Sequence, residues 1–268
     1  MGNDVNKVPE LKNSSLTLAD GVALMTFDRD DVRNELTGTT LIPDMLAVCD
    51  WVNCNHDVGA LILTGAGKAF SAGGNIKDMH NRKGIFGEDP ISQQNSYRRG
   101  IQKMTLAMYS LEVPLIAAVN GAAIGAGFDL VCMCDIRLGS EYAKVGETFV
   151  NLGLIPGDGG AWFLPRVVGM QRAAEMTFTG RIVDAHEAQE LGIFMEIVPA
   201  DQLVSRACDL AAQFASKPRE ALRMSKRLLQ TGQRLGLNDF LDYCASQQGL
   251  CHTSDQHHKA VADFLASK

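Results

Sequence analysis

A chain of 268 residues, 46% apolar, 21% charged and 6% aromatic, suits one large domain or one domain with an appendage, and is too apolar for disorder. With 25 basic against 31 acidic residues the net charge is −6, and basic residues cluster only as short pairs such as Arg98-Arg99 and Lys226-Arg227. That balance speaks against a nucleic-acid or anionic-membrane surface but leaves room for a local phosphate contact. No apolar run nears the ~20 residues of a membrane span, and the opening Met1 to Glu10 is polar, without a signal-peptide core. The seven cysteines, an odd number mostly in apolar surroundings, read as reduced thiols of a cytoplasmic protein. Cys132 and Cys134 have no second Cys or His pair at ligand spacing, so no metal site is expected.

In chain order, Ser15 to Phe27 is two alternating runs broken by Asp20-Gly21, a strong hairpin signal. Leu41, Met45, Leu46, Val48, Cys49 and Val52 then fall at helical spacing within Thr37 to Asn53. Gly59 to Thr64 is a short, continuously apolar run and predicts a buried strand. A glycine-rich turn follows from Gly65 to Asn75, and residues 80–95 predict an irregular, mobile loop. Tyr97 to Ser110 reads as one amphipathic helix, Val113 to Val119 as a second buried strand, and Phe128 to Met133 as a helix opened by the turn Gly125-Ala-Gly127. Asp135 to Leu138 and Ala143 to Val145 are short strands, and from Arg172 onward the chain predicts almost only helix. The reading is therefore strand–helix units, alike in architecture but not in sequence, through about residue 170, followed by an α-helical tail.

Both glycine turns fail the nucleotide motifs. Gly65-Ala-Gly67-Lys68 has Ile62 and Ala69 where a phosphate loop needs Gly and Ser or Thr, and Gly125-Ala-Gly127 has Leu130 where a dinucleotide fingerprint needs Gly. What remains is two turns of small residues, Ala72-Gly73-Gly74 and Gly125-Ala126-Gly127, that let a ligand approach bare backbone N–H groups. Two such donors converging on one oxygen form an oxyanion hole.

These segments resemble the crotonase family, the enoyl-CoA hydratase/isomerase superfamily. The resemblance rests on Arg29-Asp-Asp-Val-Arg-Asn-Glu-Leu36, Ala69-Phe-Ser-Ala-Gly-Gly-Asn-Ile-Lys77, Pro114 to Gly121, Ala123-Ile-Gly-Ala-Gly-Phe-Asp-Leu130, Cys134-Asp-Ile-Arg137, Leu152 to Gly160 and Leu164 to Gly169, in family order over about residues 15–267. It implies an α/β fold, a crotonase-like spiral core of repeated ββα units over 1–200 with a C-terminal α-helical trimerisation region over 201–268. It implies acyl-CoA thioester substrates, coenzyme A entering as part of the substrate with no separate cofactor. It also implies assembly as a homotrimer or a dimer of trimers.

Carried over by position, the resemblance puts the oxyanion donors at the N–H groups of Ala72 and Ala126, the latter where the family usually has Gly. The first of the family's two glutamates falls at Asp129. The second falls at Phe149, which cannot move a proton. Glu147, two residues earlier and on the same face if this segment is extended, and Asp158, between glycines, are the candidate replacements. Arg29, Arg33 and Lys77 are cations for the coenzyme A phosphates, and Gly73, Gly74, Asn75 and Ile76 offer backbone groups to its adenine and pantetheine. The resemblance implies hydration of a 2-enoyl-CoA to a 3-hydroxyacyl-CoA through a thioester enolate. A one-carboxylate double-bond isomerase and a non-catalytic acyl-CoA-binding protein are the alternatives that Phe149 raises.

Overall fold

The computed structural model describes residues 7–87 and 89–267; part of the polar opening stretch, over 1–6, and Glu88 of the expected mobile loop lie outside them. Strands β1 (Ser14–Ala19) and β2 (Val22–Phe27) pair antiparallel with Ala19 opposite Val22. The turn between them puts both Asp20 and Gly21 at positive φ, 51° and 78°, the backbone that a two-residue Asp-Gly hairpin needs. Helix α1 (Leu41–Cys54) follows.

The chain then repeats one pattern: a long strand, a short strand, and a helix or helical turn. The first unit is β3 (Ala60–Gly65), β4 (Ala69–Ser71) and α2 (Ile76–His80). Helices α3 (Pro90–Arg99) and α4 (Ile101–Tyr109) lead to the second, β5 (Leu115–Val119), β6 (Ala122–Ile124) and α5 (Ala126–Met133). The third is β7 (Ile136–Ser140), β8 (Lys144–Gly146) and a 3-10 turn over Thr148–Leu152. The long strands and the three-residue β10 (Glu196–Val198) form a six-stranded sheet in the order β1-β2-β3-β5-β7-β10, and the other short strands, with β9 (Ile182–Asp184), a four-stranded sheet in the order β4-β6-β8-β9. After α6 (Gly160–Val168) and α7 (Met170–Thr179), β9 (Ile182–Asp184), α8 (Ala185–Glu190) and β10 (Glu196–Val198) complete both sheets. This is the ββα spiral implied by the sequence.

Alternation along the long strands separates two cores. Leu61 and Leu63 of β3, with Leu115, Ala117 and Val119 of β5, face the main core. Their neighbours Ala60, Ile62, Ile116 and Ala118 face helix α9 (Leu203–Ala215), which meets them with Ala207, Ala211 and Ala215 spaced four apart. Helix α10 (Arg219–Thr231) is tied to the body by two buried cations. Arg223 donates to the carbonyls of Val52, Asn53 and Asn55 at the end of α1 and pairs with Glu112 at 3.0 Å, while Lys226 pairs with Asp135 at 2.7 Å. Helices α11 (Leu237–His252) and α12 (Asp255–Ala266) carry no buried residue.

Three expectations are corrected. The stretch read as an irregular loop to residue 95 becomes helical at Pro90, because Asp89 caps it by accepting from the N–H groups of Ile91 and Ser92. The single helix expected over Tyr97 to Ser110 breaks at Gly100. The stretch beyond Arg172 contains β9 and β10, each three residues long and too short for alternation to show.

Candidate active site

The site is built where the two glycine turns meet. Gly73, two residues beyond β4, has φ 76°, and a methyl placed there would lie 2.5 Å from the carbonyl oxygen of Ile124 and 3.1 Å from the amide nitrogen of Ala126. Only glycine lets the first turn press against the start of α5. Ala126 is the first residue of α5, so its N–H belongs to the unpaired set at a helix start and sits at the positive end of the helix dipole.

The expected partner Ala72 is corrected here. Its N–H donates to the carbonyl of Arg33 at 2.9 Å and is not available to a ligand. The left-handed Gly73 then turns the chain, so the next free amide is that of Gly74. Gly73 itself donates to Ser71 Oγ and Asn75 to Thr37 Oγ1, whereas the N–H of Gly74 has no hydrogen-bond partner among the described residues. Gly74 and Ala126 line one cavity of about 400 Å³, and Ala72 does not.

Three carboxylates gather behind and beside this pair. Asp129, on the first turn of α5, is fully buried, Glu147 is 1% exposed at the foot of the 3-10 turn, and Asp158 is 5% exposed in the loop before α6. Asp129 Oδ2 accepts the N–H of Gly160 at 3.0 Å. A methyl on Gly160 would fall 2.1 Å from Glu147 Oε1 and 2.3 Å from Asp129 Oδ1, so the two carboxyls flank the same point and only glycine fits between them. Asp129 Oδ1, both Glu147 oxygens and Asp158 Oδ1 are occluded without geometric hydrogen-bond partners among the described residues.

Burial, with neighbouring charge at Asp129 and Glu147, raises the proton affinity of all three carboxyls. Burial, followed by the charge of Glu147 and contact with its carboxyl, pushes Asp129 well above the usual carboxylate range. Burial likewise lifts Glu147 to about 7 and Asp158 to about 6. Groups poised near neutrality can both take and give a proton at physiological pH.

Phe149, at the position of the family's second glutamate, is half-buried and lines the same cavity as Asp158. A second cavity of about 950 Å³ lies alongside, and the two share Met79, Ile85, Phe86, Tyr97 and Leu154. Ile76 lines the larger one and Gly74 the smaller. The remaining candidates are less central. Arg29 is paired with Asp31 at 2.7 Å, Arg33 and Lys77 are exposed, and none of the three lines either cavity. Asn75 caps α2 by accepting from the N–H of Asp78, and its amide donates to Glu35. Among the described residues no group of three or more His, Cys, Asp or Glu side chains is arranged to hold a metal ion.

The family model for enoyl-CoA hydratase/isomerase matches residues 17–266. The chain belongs to this family. A short-chain-enoyl-CoA hydratase from Clostridium acetobutylicum is 33% identical over 261 residues, covering 97% of each chain. A crotonyl-CoA hydratase from Syntrophomonas wolfei is 31% identical, covering 96% of each. An enoyl-CoA hydratase structure from Bacillus anthracis superposes with a TM-score of 0.87 at 31% identity, covering 96% of this chain and 97% of that one. Within the enoyl-CoA hydratase/isomerase family the departures described above become specific. The residue at 149 is apolar, the first acid before it in the chain is at 147 and the first after it at 158, and residue 126 carries a methyl group that leaves its N–H in place.

Proposed function

We propose that this protein adds water across the double bond of a 2-enoyl-CoA to give the 3-hydroxyacyl-CoA. The observation that carries the reading is the pair of unspent amides, Gly74 and Ala126, brought together across Gly73 at the wall of a cavity that also holds a buried carboxylate. Attack at Cβ of an enoyl thioester moves charge onto the thioester oxygen. Two fixed N–H donors aimed there stabilise the enolate by about 3 kcal/mol each, and the dipole of α5 adds to the same end. The carboxylate cluster supplies proton transfer. The hydratase names of the relatives at 31–33% identity support this reaction. Coenzyme A enters as the substrate's carrier, with Arg33 and Lys77 as exposed cations for its phosphates and the backbone from Gly73 to Ile76 along its pantetheine.

The apolar residues left exposed on the last two helices, among them Leu237, Leu241, Leu250, Val261, Phe264 and Leu265, support assembly as a trimer or a dimer of trimers through this region. Sedimentation at micromolar concentration tests it, and a monomer contradicts it. Seven free cysteines fit a reducing, cytoplasmic setting, and no helix among the described residues is long and apolar enough to cross a membrane.

Incubation with crotonyl-CoA tests the reaction. The expected result is loss of the enoyl chromophore with formation of 3-hydroxybutyryl-CoA. No hydration, together with conversion of a 3-enoyl-CoA to its 2-enoyl isomer, refutes the reading in favour of the isomerase.

A further inference from the structure

The three carboxylates are not equivalent with respect to the cavity. Asp158 forms part of the wall that also holds Gly74, Ala126 and Phe149, whereas Asp129 and Glu147 line neither cavity. The backbone carrying Asp158 is held from two sides. Helix α4 holds it through Gln102, which donates to the carbonyl of Gly157 at 3.0 Å, and Thr105, which donates to the carbonyl of Asp158 at 2.7 Å. Helix α5 holds it through Asp129, which accepts the N–H of Gly160. Asp158 is nine-tenths buried, has Oδ1 unpartnered among the described residues, and shares the cavity wall with Tyr97, whose phenol is pushed up by burial and, to a lesser degree, by the charge of Asp158. One other acid reaches this wall, Asp78 on the short helix α2, and it is only half-buried.

We propose that Asp158 is the group that moves the proton on the substrate, and that Asp129 and Glu147 form a positioning pair behind it, clamped around Gly160. The assignment rests on the acyl-CoA reading above. One carboxyl is sufficient for the chemistry. The Asp158 carboxylate takes a proton from water as the water oxygen bonds to Cβ, and the π electrons move toward the thioester, whose oxygen is held by Gly74 and Ala126. The resulting carboxyl then gives that proton to Cα, so one water is added and the carboxylate is regenerated. On this assignment no acid is required at position 149, and Phe149 supplies an apolar wall for the acyl group.

Two assays on the full-length protein separate the assignment from the reaction: hydration of crotonyl-CoA, and deuterium exchange at Cα of butyryl-CoA in heavy water, which needs proton abstraction but no double bond. Asp158→Asn is expected to lower both by about 10²–10⁴-fold with little change in KM or melting temperature. Asp158→Glu, which keeps the acid but displaces it, is expected to recover part of the exchange, and it serves as the folded variant if the Asn form does not fold. Asp129→Asn and Glu147→Gln are expected to keep exchange within about tenfold of the parent and to shift the acid limb of its pH profile. Exchange that survives Asp158→Asn but is abolished by Glu147→Gln, Asp129→Asn or Asp78→Asn overturns the assignment. A parent that exchanges without hydrating overturns the hydration reading alone, and exchange lost with Asp158 still supports the assignment. A parent that does neither overturns both.

Discussion

Replacing Glu147 by glutamine removes a group whose proton affinity differs sharply between the folded and unfolded chain. Its ordinary value is 4.5, and burial lifts it to about 7 in the folded protein. A difference of that size corresponds to about 3 kcal/mol at roughly 1.4 kcal/mol per unit. Because the folded value is the higher one, the native state binds the proton more tightly than the unfolded chain. The stability associated with it is complete below about pH 4.5 and is lost as pH rises through about 7. Above that range the parent protein holds a buried carboxylate against the neighbouring Asp129 and Asp158, and the amide does not. Glu147→Gln should therefore match the parent within about 1 kcal/mol near pH 4 and exceed it by about 3 kcal/mol near pH 8. Equilibrium urea unfolding of both proteins across this range measures the difference, and subtracting the parent cancels the other titrating groups. A difference independent of pH, or one that grows toward acid, would falsify the placement of Glu147 in this cluster.

Further substitutions probe the remaining parts. Ala126→Pro deletes the proposed oxyanion donor at the first position of α5, where proline is tolerated, so kcat should fall about 10²–10³-fold with helix content unchanged; a rate within threefold of the parent rules out this donor. Gly160→Ala drives a methyl between Asp129 and Glu147, and is expected to cost about 1–3 kcal/mol of stability and to lower kcat; an unchanged melting temperature and rate would contradict the close approach. Arg223→Ala removes this donor from the carbonyls of Val52 and Asn53, leaves that of Asn55 with only the N–H of Val58, and should destabilise by about 1–3 kcal/mol in chemical unfolding, while a loss under about 0.5 kcal/mol would show the clamp to be dispensable. With Asp158 lifted to about 6, kcat/KM for hydration should rise with pH and level off above that value; a flat profile between about pH 5 and pH 8 argues against Asp158 as the base.

The long strands were legible because continuously apolar runs such as Ala60 to Leu63 and Leu115 to Val119 are bounded by turn residues, and the first hairpin because Asp20-Gly21 has one favoured backbone. The three-residue strands β4, β6, β9 and β10 carry no period that could be read, and they exist because the spiral offers them partners. Asp129, Glu147 and Asp158 were recognisable as acids near the second turn, but their separation into a cavity-facing member and a buried pair depends on how α6 begins at Gly160. Ala72 was mistaken for a donor because one residue in left-handed backbone, Gly73, decides which amide is free.

The walls of the two cavities come from elements of unlike depth. Ala126 stands on α5, buried along its whole length, whereas Ile85, Phe86, Gln93 and Tyr97 come from a segment over 84–99 with no buried residue among those described. Changes in the outer segment leave the interior packing undisturbed, and changes around α5 do not. On the proposed acyl-CoA reading, substitutions in the outer segment reshape the space beside the thioester at little cost to the fold, whereas substitutions around α5 disturb the fold and the oxyanion donor together.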